Sequence, residues 1–125
     1  MSIGELLDKI SILQIKAERI DDPSKVKNIN KELDVLMSLW NDSPYSDTNL
    51  SSEINELKNI NEALWDIEDK IRDKERNQVF DKDFIELARS VYFTNDKRAE
   101  IKRIINGKTG SELIEEKSYS DYSTK

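Results

Sequence analysis

Apolar residues recur at intervals of three and four along most of the chain, which is the spacing of amphipathic helices. Ser2 and Glu5 have the S-x-x-E spacing of a capping box and predict where the first helix begins. Asp22 and Pro23 predict the N-cap and first residue of a second helix. The apolar stripe of the first helix is Ile3, Leu6, Leu7, Ile10, Leu13, Ala17 and Ile20, and that of the second is Val26, Ile29, Leu33, Leu36 and Trp40.

A polar loop at 41–52 separates these helices from two longer ones. The third is predicted from about residue 52 to 77, and the serine pair Ser51-Ser52 is placed to cap it. The fourth is predicted from about residue 82 to 106, with Asp81 as its N-cap. A short connection joins the first helix to the second, and another joins the third to the fourth. Each of these two pairs is therefore predicted to be an antiparallel hairpin.

Glycine is predicted to end the fourth helix. Gly107 has the expected position of a left-handed stop, and the residues after it favour one further short turn at 112–117. We therefore predict an all-α fold in which two antiparallel helical hairpins form a four-helix bundle. The predicted domain spans residues 1–108, and 109–125 form a C-terminal turn and flexible tail.

One face of the fourth helix changes character halfway along its length. Its first half is apolar, whereas its second half carries Asn95, Arg98 and Lys102. Because the third and fourth helices are predicted to lie antiparallel, Asn61 should lie near Arg98. We predict a partly buried cationic pocket that could bind a carboxylate or a phosphate, since arginine offers a bidentate fork.

The candidate ligand-binding residues share a polar or charged side chain on or beside the predicted helix interfaces. Glu68 and Glu75 are predicted to balance the charge of the cations. An alternative interpretation is that all these side chains form an ordinary solvated surface with supporting i,i+4 pairs. The full set is Lys9, Lys16, Glu68, Arg72, Glu75, Arg89, Tyr92, Asn95, Arg98 and Lys102.

The amino-acid composition excludes several kinds of catalysis and disfavours one kind of binding. The chain has no histidine and no cysteine, which excludes imidazole catalysis, thiol nucleophiles and disulfides. A net charge of -6 disfavours general binding to a phosphate backbone. We predict no metal site and no cofactor, and we favour a non-enzymatic role. With no leader-like or membrane-spanning segment in view, the expected location is the cytoplasm.

Charge and surplus apolar surface favour self-association. Residues 41–69 hold eight acids and one lysine, whereas residues 89–108 hold six bases and two acids. Such blocks favour a complementary contact between protomers or with another protein. Ile12 and Ile15 also lie off the main stripe, and Trp65 and Phe93 resemble exposed anchors. The leading hypothesis is a helical interaction or scaffold protein that forms a homodimer.

Two alternatives remain open at this stage. The first is a protein or enzyme that binds an anionic small metabolite or nucleotide sugar in the polar pocket between helices. The second is nucleic-acid binding by the basic block at 89–108, which the global charge disfavours.

Three motifs resemble known chemistry and lack its full pattern. Residues 106–110 resemble a phosphate-binding loop but lack the preceding glycine and strand. Glu53 and Glu56 match the first half of a helical pyrophosphohydrolase motif, and no E-x-x-D follows downstream. A helical mutase resembling the short chorismate mutases would need cations from several helices around a dicarboxylate. Such cations could come from Lys9, Lys16, Arg98 and Lys102, but no diagnostic spacing supports this interpretation.

Four parts of the chain share a pattern with other proteins: residues 2–10 continuing to 15–20, residues 61–75, residues 84–92 with 94–96, and residues 110–111 followed by 115–119. They resemble a family of short all-helical proteins of unknown function from bacteria and marine phages, and the resemblance covers nearly the whole chain except the loop at 41–52. Members of that family often occur near sugar-transfer and cell-surface polysaccharide proteins. The resemblance implies an all-helical fold and an accessory role in sugar or polysaccharide metabolism. It supplies no activity, catalytic residue or cofactor.

Overall fold

The computed structural model describes residues 1–110, and within them the secondary structure is four α-helices. They are α1 (Ile3–Arg19), α2 (Pro23–Asn41), α3 (Ser51–Arg76) and α4 (Lys82–Thr109). The predicted all-α fold of two hairpins is confirmed, and the packing is that of a four-helix bundle. No helix in this range combines the length and the apolar character needed to cross a membrane.

Local capping signals set most helix starts. The Ser2 side chain accepts a hydrogen bond from the backbone N–H of Glu5 at 3.2 Å, and Asp22 accepts one from Ser24 at 3.0 Å. Asp81 caps α4 in the same way. The predicted serine cap of α3 is wrong. Leu50 occupies that N-cap position without a side-chain hydrogen bond, and its own side chain is buried in the core.

The predicted end of α4 at Gly107 is also wrong. The helix continues through Gly107 and ends at Gly110, which has the left-handed φ of 68°. Continuation buries Asn106 and Thr109, and the Thr109 hydroxyl donates to the carbonyl of Ile105 at 2.9 Å. This packing outweighs the cost of about 1 kcal/mol for a glycine inside a helix. The predicted turn at 112–117 and the tail beyond it lie outside the described residues.

The α1 helix is the one that contacts all three others. Its backbone lies close to α2, α3 and α4, and α3 and α4 lie along each other as an antiparallel hairpin. Leu6, Leu7, Ile10 and Leu13 of α1 form the centre of the core. The other helices and the α2–α3 loop complete it with Leu36, Leu50, Leu57, Ile101 and Ile105.

The start of α1 and the end of α4 approach each other closely at Gly4. Its backbone N–H donates to the side-chain oxygen of Asn106 at 2.8 Å. A Cβ atom at this position would lie 2.6 Å from the carbonyl oxygen of Lys102, which is too close for a real contact. Because Gly4 has no side chain, α1 and α4 can approach each other this closely. Their close approach positions the polar cluster described next.

Candidate functional site

A buried carboxylate joins three of the four helices. Asp8 of α1 is only 3% exposed. Asn61 of α3 donates from Nδ2 to Asp8 Oδ1 at 2.9 Å, and Arg98 of α4 donates from Nε to the same oxygen at 2.9 Å. Arg98 also donates from Nη2 to Oδ2, so the guanidinium grips the carboxylate with two nitrogens. Lys102 Nζ lies 3.9 Å from Oδ2.

Ser11 completes this cluster one turn further along α1. Its hydroxyl donates to the backbone carbonyl of Asp8 at 2.9 Å and accepts from Asn61 Nδ2 at 2.7 Å. Gly4, Asp8, Ser11 and Ile15 are spaced by four, three and four, so they share one face of α1, and all four are buried. We call Asp8, Ser11, Asn61, Arg98 and Lys102 the Asp8 cluster.

A cleft of about 470 Å³ opens beside the Asp8 cluster between α1, α3 and α4. The α3 helix contributes lining residues at the i, i+3, i+4, i+7, i+8 and i+11 positions, which is the stripe that a helix normally buries against a neighbour. The lining residues are Ile12, Ile15 and Lys16 of α1, Asn61, Leu64, Trp65, Glu68, Asp69 and Arg72 of α3, and Asn95 and Arg98 of α4.

The charges around the cleft are mostly arranged in pairs. Arg72 Nη2 lies 3.4 Å from Glu68 Oε2, and both side chains are exposed. Arg98 is held by Asp8, with Nη1 directed toward Asn95 Oδ1 at 3.5 Å. The lining carries three cations and two carboxylates. Once Asp8, the partner of Arg98, is counted, three carboxylates match these three cations, and Lys16 is the lining cation that forms no ion pair within residues 1–110.

Trp65 brings an aromatic ring to the cleft. The guanidinium of Arg19 lies 5.8 Å from the centre of that ring, a cation–π distance. Arg19 also donates from Nη1 to Asp66 at 2.6 Å, and this hydrogen bond raises the pKa of Arg19. The last turn of α1 is thus tied to α3 beside the cleft, and the indole ring is held there.

The structure brings half of the predicted site residues to the cleft: Lys16, Glu68, Arg72, Asn95 and Arg98. Lys102 is buried beside Asp8 at the edge of this site. Lys9, Glu75, Arg89 and Tyr92 are exposed and do not line the cleft.

Arg98 and Lys102 turn inward, as predicted, and Asn61 shares a hydrogen-bond acceptor with Arg98. The predicted balancing acids are wrong. Glu68 and Glu75 are exposed, and the carboxylate that faces the two cations is Asp8, which sequence reasoning missed. The sequence holds one signal for this role of Asp8. Asp8 lies on the same face of α1 as Ile15 and four residues after Gly4, where α1 and α4 meet.

Several features that suggested a dimer are used within the chain. Ile15 is buried, Ile12 lines the cleft, and Trp65 is half-buried beneath Arg19. The acidic and basic blocks lie alongside each other in the α3–α4 hairpin. Lys108 pairs there with the buried Glu53 and holds the pKa of that carboxyl below its usual value.

In residues 1–110 no three metal-ligating side chains are grouped closely enough to hold an ion.

Comparison with known proteins places the chain in a family without supplying a function. No curated protein and no solved structure matches the sequence. One family model, described as a family of unknown function (DUF6165), matches residues 1–124. Since that match spans nearly the whole sequence, the chain belongs to this family.

Proposed function

We propose that this protein binds a small anionic metabolite, through a carboxylate or phosphate group, in the cleft between α1, α3 and α4. The observation that carries the proposal is the guanidinium of Arg98, fixed by a buried carboxylate at the wall of a cleft to which Lys16 adds a cation that forms no ion pair within residues 1–110. The cleft volume of about 470 Å³ falls within the range of small-molecule sites.

The Asp8 cluster supports binding because it orients its cation in advance. Arg98 uses Nε and Nη2 on Asp8, so the plane of its guanidinium is fixed before any ligand arrives. An arginine oriented in this way loses less conformational entropy on binding than a mobile surface side chain. Lys16 provides a second cation from α1, and Asn95 provides an amide beside Arg98.

The remaining lining residues indicate what else the ligand would carry. Glu68 and Asp69 accept hydrogen bonds, which hydroxyl or amino groups on a ligand can donate. Trp65 and Ile12 offer an apolar wall against which a ring or carbon chain could pack. The class that fits is a small hydroxylated or amino-bearing acid or phosphate rather than a bare polyanion.

The biological setting rests on the resemblance. On that basis we propose a bacterial or phage source, a cytoplasmic location and an accessory role in sugar or cell-surface polysaccharide metabolism. A ligand of this class is compatible with such a role.

Replacing Lys16 with alanine is expected to weaken anion binding, because Lys16 brings a positive charge to the cleft and forms no ion pair within residues 1–110. The test is a thermal-shift screen of inorganic phosphate, pyrophosphate, citrate and uridine diphosphate, each at about 5 mM, which saturates sites of submillimolar affinity. At about 100 times its Kd, a ligand adds about 2.7 kcal/mol to the free energy of unfolding. This corresponds to a rise in Tm of about 10 °C.

Lys9→Ala is the matched control, because Lys9 is an exposed lysine on the same helix outside the cleft. We expect the Lys9 variant to keep the anion-dependent rise in Tm and the Lys16 variant to lose most of it. If no anion in the panel raises the Tm of the parent protein, or if both variants lose the rise equally, the proposed function is wrong.

A further inference from the structure

The α3–α4 hairpin extends beyond the α1–α2 hairpin. At 1.5 Å per residue, α1 with 17 residues is about 25 Å long, whereas α3 and α4, with 26 and 28 residues, are each about 40 Å long. Arg19 in the last turn of α1 pairs with Asp66 of α3, and Asp8 of α1 pairs with Arg98 of α4. Residues 70–93, which we call the arm, form the projecting end of the hairpin.

The arm lacks a buried core. No residue between Leu64 and Ile101 is buried, although both helices keep apolar residues on their facing sides. Ile71, Phe84, Leu87 and Val91 are half-buried there. A layer of two helices cannot shield a core from water on both sides, and stable helical folds add a second layer.

The tip of the arm carries exposed apolar side chains. Val79 is 40% exposed, Phe80 53% and Ile85 55%, and these are among the most exposed large apolar residues in 1–110. The Phe80 ring packs edge-on against Phe84 with ring centres 5.2 Å apart. Val79 and Ile85 each adjoin one of these two rings in sequence, so the α3–α4 turn carries a group of exposed apolar side chains of the kind that marks interaction sites.

We infer that two copies of this chain pair through their arms, hairpin against hairpin, so that the four arm helices form a small bundle. Apart from Arg72, whose side chain lines the cleft, this surface is separate from the cleft, and the pairing does not depend on the proposed ligand. Pairing would cover the tip and enclose the half-buried residues of both arms in one core. A two-fold contact brings the same patch of each copy together, so the patch must complement itself.

The charge of the arm favours a second copy over a strongly charged partner. Residues 70–93 hold six bases and five acids, in a chain whose net charge is -6. A shallow groove of about 480 Å³ along the arm has the same mixture, with Lys70 and Lys74 beside Asp73, Asp83 and Glu86. Mixed charge of this kind can pair with its own copy, whereas nucleic acid or a highly basic partner requires a surface of one sign.

Sedimentation velocity of the full chain at about 50 µM, a concentration at which a modest interface is occupied, tests the inference. We expect a dimer for the parent protein and a monomer for Ile85→Glu. Leu39→Glu is the matched control, because Leu39 on α2 is 55% exposed, the same fraction as Ile85, and lies outside the arm. The Leu39 variant should remain a dimer.

Two cysteine variants test the inference without placing a charge in the arm, because the glutamate of Ile85→Glu could itself unfold the arm. The chain has no cysteine, so Ile85→Cys and Leu39→Cys each introduce a single thiol. We expect a short bismaleimide to cross-link the Ile85→Cys variant into dimers and to leave the Leu39→Cys variant monomeric on a denaturing gel. A monomeric parent protein, a dimeric Ile85→Glu variant, or cross-linking confined to Leu39→Cys would each overturn the inference.

Discussion

Replacing Asp8 with alanine is expected to lower the free energy of unfolding by about 3 kcal/mol. The carboxylate is buried, accepts hydrogen bonds from Asn61 and Arg98, and lies 3.9 Å from Lys102 Nζ. Removing one partner of a buried ion pair leaves buried charge without its compensation, which costs about 3–5 kcal/mol. We take the lower end because Arg98 keeps 28% of its side chain exposed to water. Urea denaturation measures the loss directly.

The matched control for this variant is Asp34→Ala, because Asp34 is an exposed aspartate in the interior of α2. Its replacement should change the free energy of unfolding by less than about 0.5 kcal/mol. A double-mutant cycle with Arg98→Ala should give a coupling energy of more than about 1 kcal/mol. Equal small losses for the two aspartate variants would show that the Asp8 cluster is not structurally important.

Replacing Gly4 with alanine is expected to destabilise the fold by about 2 kcal/mol, although alanine is the better helix former. Helix propensity alone would favour alanine by up to about 1 kcal/mol. The added Cβ would meet the Lys102 carbonyl oxygen at 2.6 Å and the Asn106 side-chain oxygen at 2.9 Å, so α1 and α4 would have to separate. Forced overpacking of this kind costs about 1–3 kcal/mol. Thermal or urea unfolding of the variant provides the measurement.

Gly107→Ala serves as the control with the opposite sign. Gly107 is a helical glycine of α4, and a Cβ there meets nothing within 4 Å. This variant should be more stable than the parent by about 0.5 kcal/mol, because only propensity changes. Should Gly4→Ala also prove more stable, the close approach of α1 and α4 would be wrong, and the position of the Asp8 cluster with it.

The helices could be predicted from sequence wherever the deciding interactions are local. The caps at Ser2, Asp22 and Asp81 depend on residues two or three positions away, and each is present in the structure. The end of α4 depends instead on distant contacts. Burial of Asn106 and Thr109 against other parts of the chain carries the helix through Gly107, and no local pattern contains that information.

The site could be predicted in part for the same reason. Because a short turn joins α3 and α4, the two helices lie antiparallel beside each other. The proximity of Asn61 and Arg98 could therefore be predicted. How the α1–α2 hairpin docks onto the α3–α4 hairpin is not encoded in any short connection. The sequence therefore predicts the acid partner of Arg98 on α3, at Glu68 and Glu75, whereas that partner lies on α1 at Asp8.

The two tryptophans offer the most direct test of the central claim that the cleft beside the Asp8 cluster binds small anions. Trp65 lines the cleft, whereas Trp40 of α2 packs against the hydrophobic core. Each indole N–H gives its own signal in a ¹H–¹⁵N spectrum, so one titration with the screened anions reports on both places. We expect a saturable shift of the Trp65 signal and an unchanged Trp40 signal. A Trp65 signal that stays fixed, or moves no more than that of Trp40, would contradict it.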